Sequence, residues 1–262
     1  MRALSSLELL NAWECGLAQP AAQRALLLLA AASPDTPAHC LAKITIGQRD
    51  ARLLTLREWT FGPQLHCLVV CPECGERLEL AFDVTDIRVA DVTPATPLNC
   101  EEEGKAIRRE EAEDVLSLGV GGYEIEFRLP NSLDLVAVAA SDDVEVTRHL
   151  LLERCLLAAR CGDNNPSAYQ LPAGVVDAVV ERMVQADPQA DVQVALSCPS
   201  CSHRWQAVFD IVSFFWSEVN AWAYRILREV HVLASAYGWR EADILAMSPW
   251  RRQAYLELVG SS

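Results

Sequence analysis

The sequence predicts an α+β fold, mostly helical, with a zinc-ribbon-like β unit assembled from two hairpins that lie far apart along the chain. Three observations point to it. An internal repeat sets Leu68-Val69-Val70-Cys71-Pro72-Glu73-Cys74, followed by Leu78, Phe82, Asp83 and Val84, against Ala195-Leu196-Ser197-Cys198-Pro199-Ser200-Cys201, followed by Trp205, Phe209, Asp210 and Ile211. An alternating, strand-like run follows each Cys-Pro-x-Cys, so each copy reads as strand, turn, strand. Most of the remaining chain shows helical periodicity between capping residues.

A C-x-x-C turn lets two thiolates converge on one ion while the turn amides point at the sulfurs, and the proline pre-sets the bend. Two such turns complete a tetrahedral four-thiolate shell, so Cys71, Cys74, Cys198 and Cys201 are the expected ligands of one structural zinc per chain. A thioredoxin-like redox pair would need a single C-x-x-C opening a helix, whereas here strands follow. Two disulfides are the other use of four cysteines. The six further cysteines, Cys15, Cys40, Cys67, Cys100, Cys155 and Cys161, show no paired spacing, which argues for a reducing compartment. His203 is expected on the second hairpin turn, since four thiolates already fill the shell. A catalytic zinc would need an open position beside a general base, and the sequence displays neither.

With 262 residues and 51% apolar content the chain can bury a sizeable core. Its formal charge of -14 argues against a nucleic-acid partner, because affinity for phosphate backbones rests on a basic field. Ala25 to Ala32 is too short to span a bilayer, and Glu8 and Glu14 ahead of it are the wrong charge for a secretory leader. No membrane insertion and a cytoplasmic location are therefore expected.

Five regions follow in order: an N-terminal helical region (1–62), the first zinc hairpin (63–88), an inserted strand and helical region (89–190), the second zinc hairpin (191–212) and a C-terminal helical region (213–262). Ser5-Ser6-Leu7-Glu8 is a capping box opening a helix that Gly16 closes. Pro20 suits the first turn of the next helix, which ends before Ser33-Pro34 and is apolar on nearly every side. A connection from Asp35 to Cys40 leads to a helix starting near Thr45. Leu53, Leu54, Leu56 and Trp59 form its inner face, and Gln48, Arg49, Asp50, Arg52 and Arg57 its wet side. Phe61-Gly62-Pro63 stops it.

Thr93 to Gly104 reads as a loop and Lys105 to Asp114 as a solvated mixed-charge patch. Tyr123, Ile125, Phe127 and Leu129 alternate as a half-buried strand. Ser132 and Ser141 are expected N-caps, the second opening a helix from Val144 to Arg160. Pro172 to Ala186 is a further helix with Val175, Val176, Val179, Val180 and Met183 inside, ended by Asp187-Pro188.

Past Ile211, Trp216, Val219, Ala223, Ile226, Val230, Leu233 and Tyr237 recur at three- and four-residue spacing, with Gly238 as C-cap. Such a seam either packs on the chain's own helices or engages another chain. Two short helices follow, with Ser248-Pro249 between them. Trp239, Trp250 and Tyr255, with Arg251 and Arg252 beside them, are residue types enriched at protein interfaces, and a lid on the core is the other reading. Trp216, Ile226, Leu233, Trp239, Trp250, Arg251 and Tyr255 are the candidate partner-binding residues.

No G-x-x-x-x-G-K-[ST], G-x-G-x-x-G or G-x-S-x-G occurs, and the five histidines are scattered without a forced acid or nucleophile neighbour. No enzyme is expected. Several segments carry a resemblance: Thr45-Ile46-Gly47-Gln48-Arg49-Asp50-Ala51-Arg52-Leu53-Leu54, Phe61-Gly62-Pro63, Cys71-Pro72-Glu73-Cys74-Gly75-Glu76-Arg77-Leu78-Glu79, Phe127-Arg128-Leu129-Pro130, Leu151-Leu152-Glu153-Arg154-Cys155, Ala186-Asp187-Pro188-Gln189-Ala190-Asp191, Gly238-Trp239-Arg240-Glu241-Ala242-Asp243-Ile244-Leu245 and Ser248-Pro249-Trp250-Arg251-Arg252. From roughly Thr45 to the C-terminus the chain resembles baseplate-associated proteins of phage-like contractile injection systems, the group that includes phage baseplate hub assembly chaperones. The resemblance implies a non-enzymatic role in building the baseplate or hub of a contractile tail in the bacterial cytoplasm, with baseplate or hub/spike subunits as partners. It leaves open whether the protein stays in the particle. The rival from another class is a zinc-ribbon adaptor of transcription or replication machinery, which would need a basic stripe near the knuckles; only Arg77, His203 and Arg204 lie there.

Overall fold

The computed structural model describes residues 1–89, 115–141, 143–162 and 164–260. The expected loop at Thr93 to Gly104 and the charged patch at Lys105 to Asp114 lie outside them. Helix α1 (Ser6–Gly16) opens on the expected capping box, with Ser5 Oγ accepting the Glu8 N–H at 3.3 Å and the Glu8 carboxylate accepting the Ser5 N–H at 2.9 Å. Pro20 is extended and stands at the N-cap of α2 (Ala21–Ala32), one position ahead of the first turn. The segment expected as a connection contains a short helix, α3 (Ala38–Lys43), and Cys40 within it is disulfide-bonded, against the reducing compartment that the spacing of the six further cysteines argues for. Helix α4 (Ile46–Phe61) starts at Thr45, whose hydroxyl accepts the Gln48 N–H at 3.2 Å.

Strands β1 (Gln64–Val70) and β2 (Arg77–Asp83) form the first hairpin, and α5 (Val84–Ile87) follows. Strands β3 (Val115–Val120) and β4 (Tyr123–Arg128) lead to α6 (Ser132–Val138) and α7 (Val144–Cys155). These two helices are capped by Asn131 and Asp143, not by Ser132 and Ser141. The helix expected to reach Arg160 stops at Cys155. Leu156-Leu157-Ala158-Ala159-Arg160 is instead β5 (Leu156–Arg160), antiparallel to β4 in a sheet of order β3-β4-β5. Its helix-forming composition yields to the ladder that the β4 edge offers. Helix α8 (Ala173–Ala186) precedes the second hairpin, β6 (Gln193–Ser197) and β7 (Arg204–Val208). The chain closes with α9 (Ile211–Tyr237), α10 (Glu241–Leu245) and α11 (Pro249–Gly260). Gly238 caps α9 at φ 69°.

Two cores hold these elements. The larger gathers α1, α2, α4 and α9 around Leu28, Leu29, Leu53, Leu56, Phe215 and Leu233, and the apolar α2 lies inside it. Among the described residues no helix is long and apolar enough to cross a membrane. The smaller core packs Ile125 and Phe127 against Leu152, Val175, Val176 and Val179.

Helix α4 corrects the expected wet side. Arg49, Asp50, Arg52 and Arg57 are all buried, while Trp59 is exposed. Their polar groups find partners inside the protein: Arg57 forks onto Glu218 of α9 at 2.9 and 2.7 Å and donates to the Gly62 carbonyl at 2.6 Å, Arg49 Nε donates to Asp50 at 2.7 Å, and Arg52 donates to the Gln48 carbonyl at 3.1 Å. A two-pronged guanidinium contact is among the stronger ion pairs, which is how a helix with polar residues on every turn can be central. Burial pushes the Asp50 carboxyl up to about 6 despite Arg49 beside it.

Candidate metal centre

Each hairpin presents its cysteines through the same hydrogen-bonded turn. Cys71 N–H donates to the Glu76 carbonyl at 2.8 Å and Gly75 N–H to the Cys71 carbonyl at 3.0 Å; Cys198 N–H donates to the His203 carbonyl and Ser202 N–H to the Cys198 carbonyl, both at 2.9 Å. The position after the second cysteine is left-handed in both, Gly75 at φ 76° and Ser202 at φ 61°. Left-handed backbone costs an L residue with a Cβ about 1 kcal/mol, so Gly75→Ala is expected to destabilise by that amount and Ser202→Gly to stabilise by roughly 0.5 kcal/mol after glycine's own entropy loss. Urea unfolding midpoints measure both.

The repeat also explains its own Phe-Asp-aliphatic ending. Phe82 and Phe209 meet edge to face, with ring centroids 5.7 Å apart. Asp83 caps α5 and Asp210 caps α9, their carboxylates accepting the Thr85 and Val212 N–H groups at 3.1 and 2.9 Å. Val84 and Ile211 then drop into the interior. Each copy is thus a metal-type hairpin that launches a helix.

The four sulfurs converge. Cys71 Sγ is 3.7 Å from Cys201 Sγ, Cys74 Sγ is 3.6 Å from Cys198 Sγ, and all four lie within 4.8 Å of one another. Four thiolates about 2.3 Å from a central ion would stand about 3.8 Å apart, so the donor set fits a tetrahedral ion. These spacings are far beyond a sulfur–sulfur bond, and all four thiols are free. Cys71 and Cys198 are buried, Cys74 and Cys201 face solvent.

The thiols perturb one another. Although the Glu76 amide favours its ionised form, the Cys201, Cys198 and Cys71 sulfurs help hold Cys74 up at about 12. Burial works against ionising Cys198, but the Cys201 and Ser200 amides outweigh it and bring that thiol to about 7. One thiolate suppresses the next, and a cation among them removes that conflict. His203 stacks on Trp205 in the turn and stands outside the sulfur cluster.

Polar contacts absent from the sequence reading tie the two hairpins together away from the sulfurs. Asp187 lies just before the second hairpin and is buried. Its carboxylate accepts the Gly47 N–H in the first turn of α4 at 2.8 Å, a cap supplied from a remote part of the chain. A Cβ at Gly47 would stand 1.8 Å from Asp187 Oδ1. Gln189 accepts the Val89 N–H at 2.8 Å and donates to the Ile87 carbonyl at 3.3 Å. Asp-Pro after a helix was legible only as a stop. Its role as a cap depends on a helix elsewhere.

The candidate partner residues separate. Trp216, Ile226 and Leu233 are buried in the larger core, so the α9 seam packs on the chain's own helices and these three are not available to a partner. Trp239 and Tyr255 meet edge to face at 4.8 Å over that core, as a lid. Trp250 is 81% exposed, with Arg251 exposed beside it.

Residues 25–164 match the family model described as T4 bacteriophage base plate protein. No curated protein and no solved structure matches the chain. The matched stretch runs from within α2 through the first hairpin to the three-stranded sheet. The second hairpin and the tail segments read as a resemblance lie beyond it.

Proposed function

The chain belongs to the T4 bacteriophage base plate protein family, and from that membership we propose that it is a non-enzymatic structural or assembly component of the baseplate or hub of a phage-like contractile injection system. The family match, which covers just over half of the chain, carries this reading. Zinc is the proposed ion, bound once per chain by Cys71, Cys74, Cys198 and Cys201, because four clustered thiolates without an open position suit a closed structural site. When bound, the ion supplies cross-linking of the two hairpins. The protein's own residues do the rest: Asp83 and Asp210 cap the helix that follows each hairpin, and Arg57 and Asp187 hold α4 between them.

Docking on baseplate or hub/spike subunits is assigned to the surface that includes Trp250 and Arg251, an exposed aromatic with a cation beside it. Trp250→Ala is expected to leave the melting temperature unchanged and to weaken capture of tail subunits by about 2 kcal/mol, an interface hot-spot effect. Purification from cells carrying the neighbouring tail genes tests the role as a whole. Baseplate subunits are the expected co-purifying proteins; recovery of polymerase or DNA in their place ends the proposal. The adaptor reading has no support beside the knuckles, where the sequence sets Glu73, Glu76 and Glu79 against only Arg77, His203 and Arg204.

A further inference from the structure

The two hairpins leave an opening between them. A cleft of about 770 Å³ is lined by residues 79–82 of β2 and 193–196 of β6, with 86–89 at one end. Neighbouring residues of a strand point to opposite faces, so a run of four lining one cleft marks a strand edge. Among the described residues β2 pairs only with β1, and β6 only with β7.

The ladder phase shows what those edges offer. Cys71 N–H bonds the Glu76 carbonyl and Val84 N–H the Pro63 carbonyl, which places Leu80 and Phe82 among the residues bonded to β1 and turns the backbone groups of Glu79 and Ala81 outward. Cys198 with His203 and Phe209 with Val192 fix the same phase in the second hairpin, so Gln193 and Ala195 turn theirs outward. Two rows of N–H and C=O groups without a partner among the described residues therefore border one slot, a template for strand addition.

We propose that this slot receives an extended segment of a partner protein with alternating basic and apolar side chains, completing a five-stranded sheet of order β1, β2, guest, β6, β7. The inference rests on the docking role proposed above and names the chemistry of one contact. On one face of the slot, Leu80, Phe82, Val194 and Leu196 are half-buried and accept the apolar side chains. Glu79, Asp86 and Asp191 supply acidic charge, while Arg88 is already held by Glu58 at 2.7 Å. The lining thus complements a basic strand. Because β2 leaves its knuckle and β6 enters its own, the guest runs antiparallel to one and parallel to the other.

The test uses the full, metal-loaded chain and a blocked synthetic peptide of alternating Lys and Val, with an alternating Glu and Val peptide as counterpart. The Lys-Val peptide is expected to bind and to slow amide exchange at Glu79, Ala81, Gln193 and Ala195; the Glu-Val peptide is not. Ala81→Pro and Ala195→Pro each remove an outward N–H without touching a hairpin bond, so each is expected to keep metal content and melting temperature and to weaken binding about ten-fold. Glu79→Lys, which leaves the backbone alone, is expected to weaken the Lys-Val peptide and admit the Glu-Val one. Absence of Lys-Val binding, affinity indifferent to both prolines and to Glu79→Lys, or amides already protected in the free chain would each overturn the proposal. Tail subunits captured equally by the proline variants would also overturn it while leaving the baseplate role intact; failure of the unmodified chain to capture them strikes at that role instead.

Discussion

Cys198→Ser is expected to empty the metal centre and to lower the melting temperature by ten degrees or more. A structural four-thiolate site can contribute on the order of 10 kcal/mol to folding, and a chain of this size loses about 2–4 °C per kcal/mol. The buried position of Cys198 makes the loss severe, because the serine would sit where the Cys74 sulfur is 3.6 Å away and no solvent can replace the thiolate. The hairpins have little apolar core of their own: β2, β6 and β7 hold no buried position, and β1 contributes Leu65 alone. Elemental analysis and thermal melts measure the effect, and a chelator should bring the unmodified chain to the same melting temperature while leaving the variant unmoved. A variant that melts with the parent after losing its ion would show that the cluster braces nothing.

Gly47→Ala is expected to destabilise by about 3 kcal/mol, through overpacking together with loss of a hydrogen bond to a buried carboxylate. The added Cβ falls 1.8 Å from Asp187 Oδ1, so either the α4 terminus or the turn before β6 must move. Asp187→Asn keeps the shape and should cost only about 1 kcal/mol, the charge part of the cap. Because both changes act on one contact, the double variant Gly47→Ala with Asp187→Ala should lose less than the two single losses combined. Strict additivity in urea midpoints would mean that the two residues are not coupled.

Much of this architecture is written locally. A capping box, a Gly after an apolar run, or Pro ahead of a helix acts within a few residues, which is why α1, α8, α9 and α11 could be placed from Ser5, Pro172, Gly238 and Ser248. The cysteine shell was legible because its two halves repeat one motif, and similarity of the halves stands in for knowledge of their distance. Residues 156–160 failed for the opposite reason: nothing in Leu-Leu-Ala-Ala-Arg announces a strand, and only the exposed edge of β4 makes it one. Arg49, Arg52 and Arg57 failed likewise, since a charge is read as solvated until a partner such as Glu218 is brought to it.

By itself the sequence determined the paired knuckles, several helix boundaries such as Ser5 and Gly238, and the predominantly helical class, all set by backbone sterics and short-range hydrogen bonding. Tertiary structure alone decided that the α9 seam is internal, that α4 is central in spite of its charges, that Asp187 caps a helix far from it in the chain, and that β2 and β6 border a common slot. Each of those depends on which surfaces meet once the chain closes on itself, and burial and charge pairing are properties of that meeting, not of any one segment.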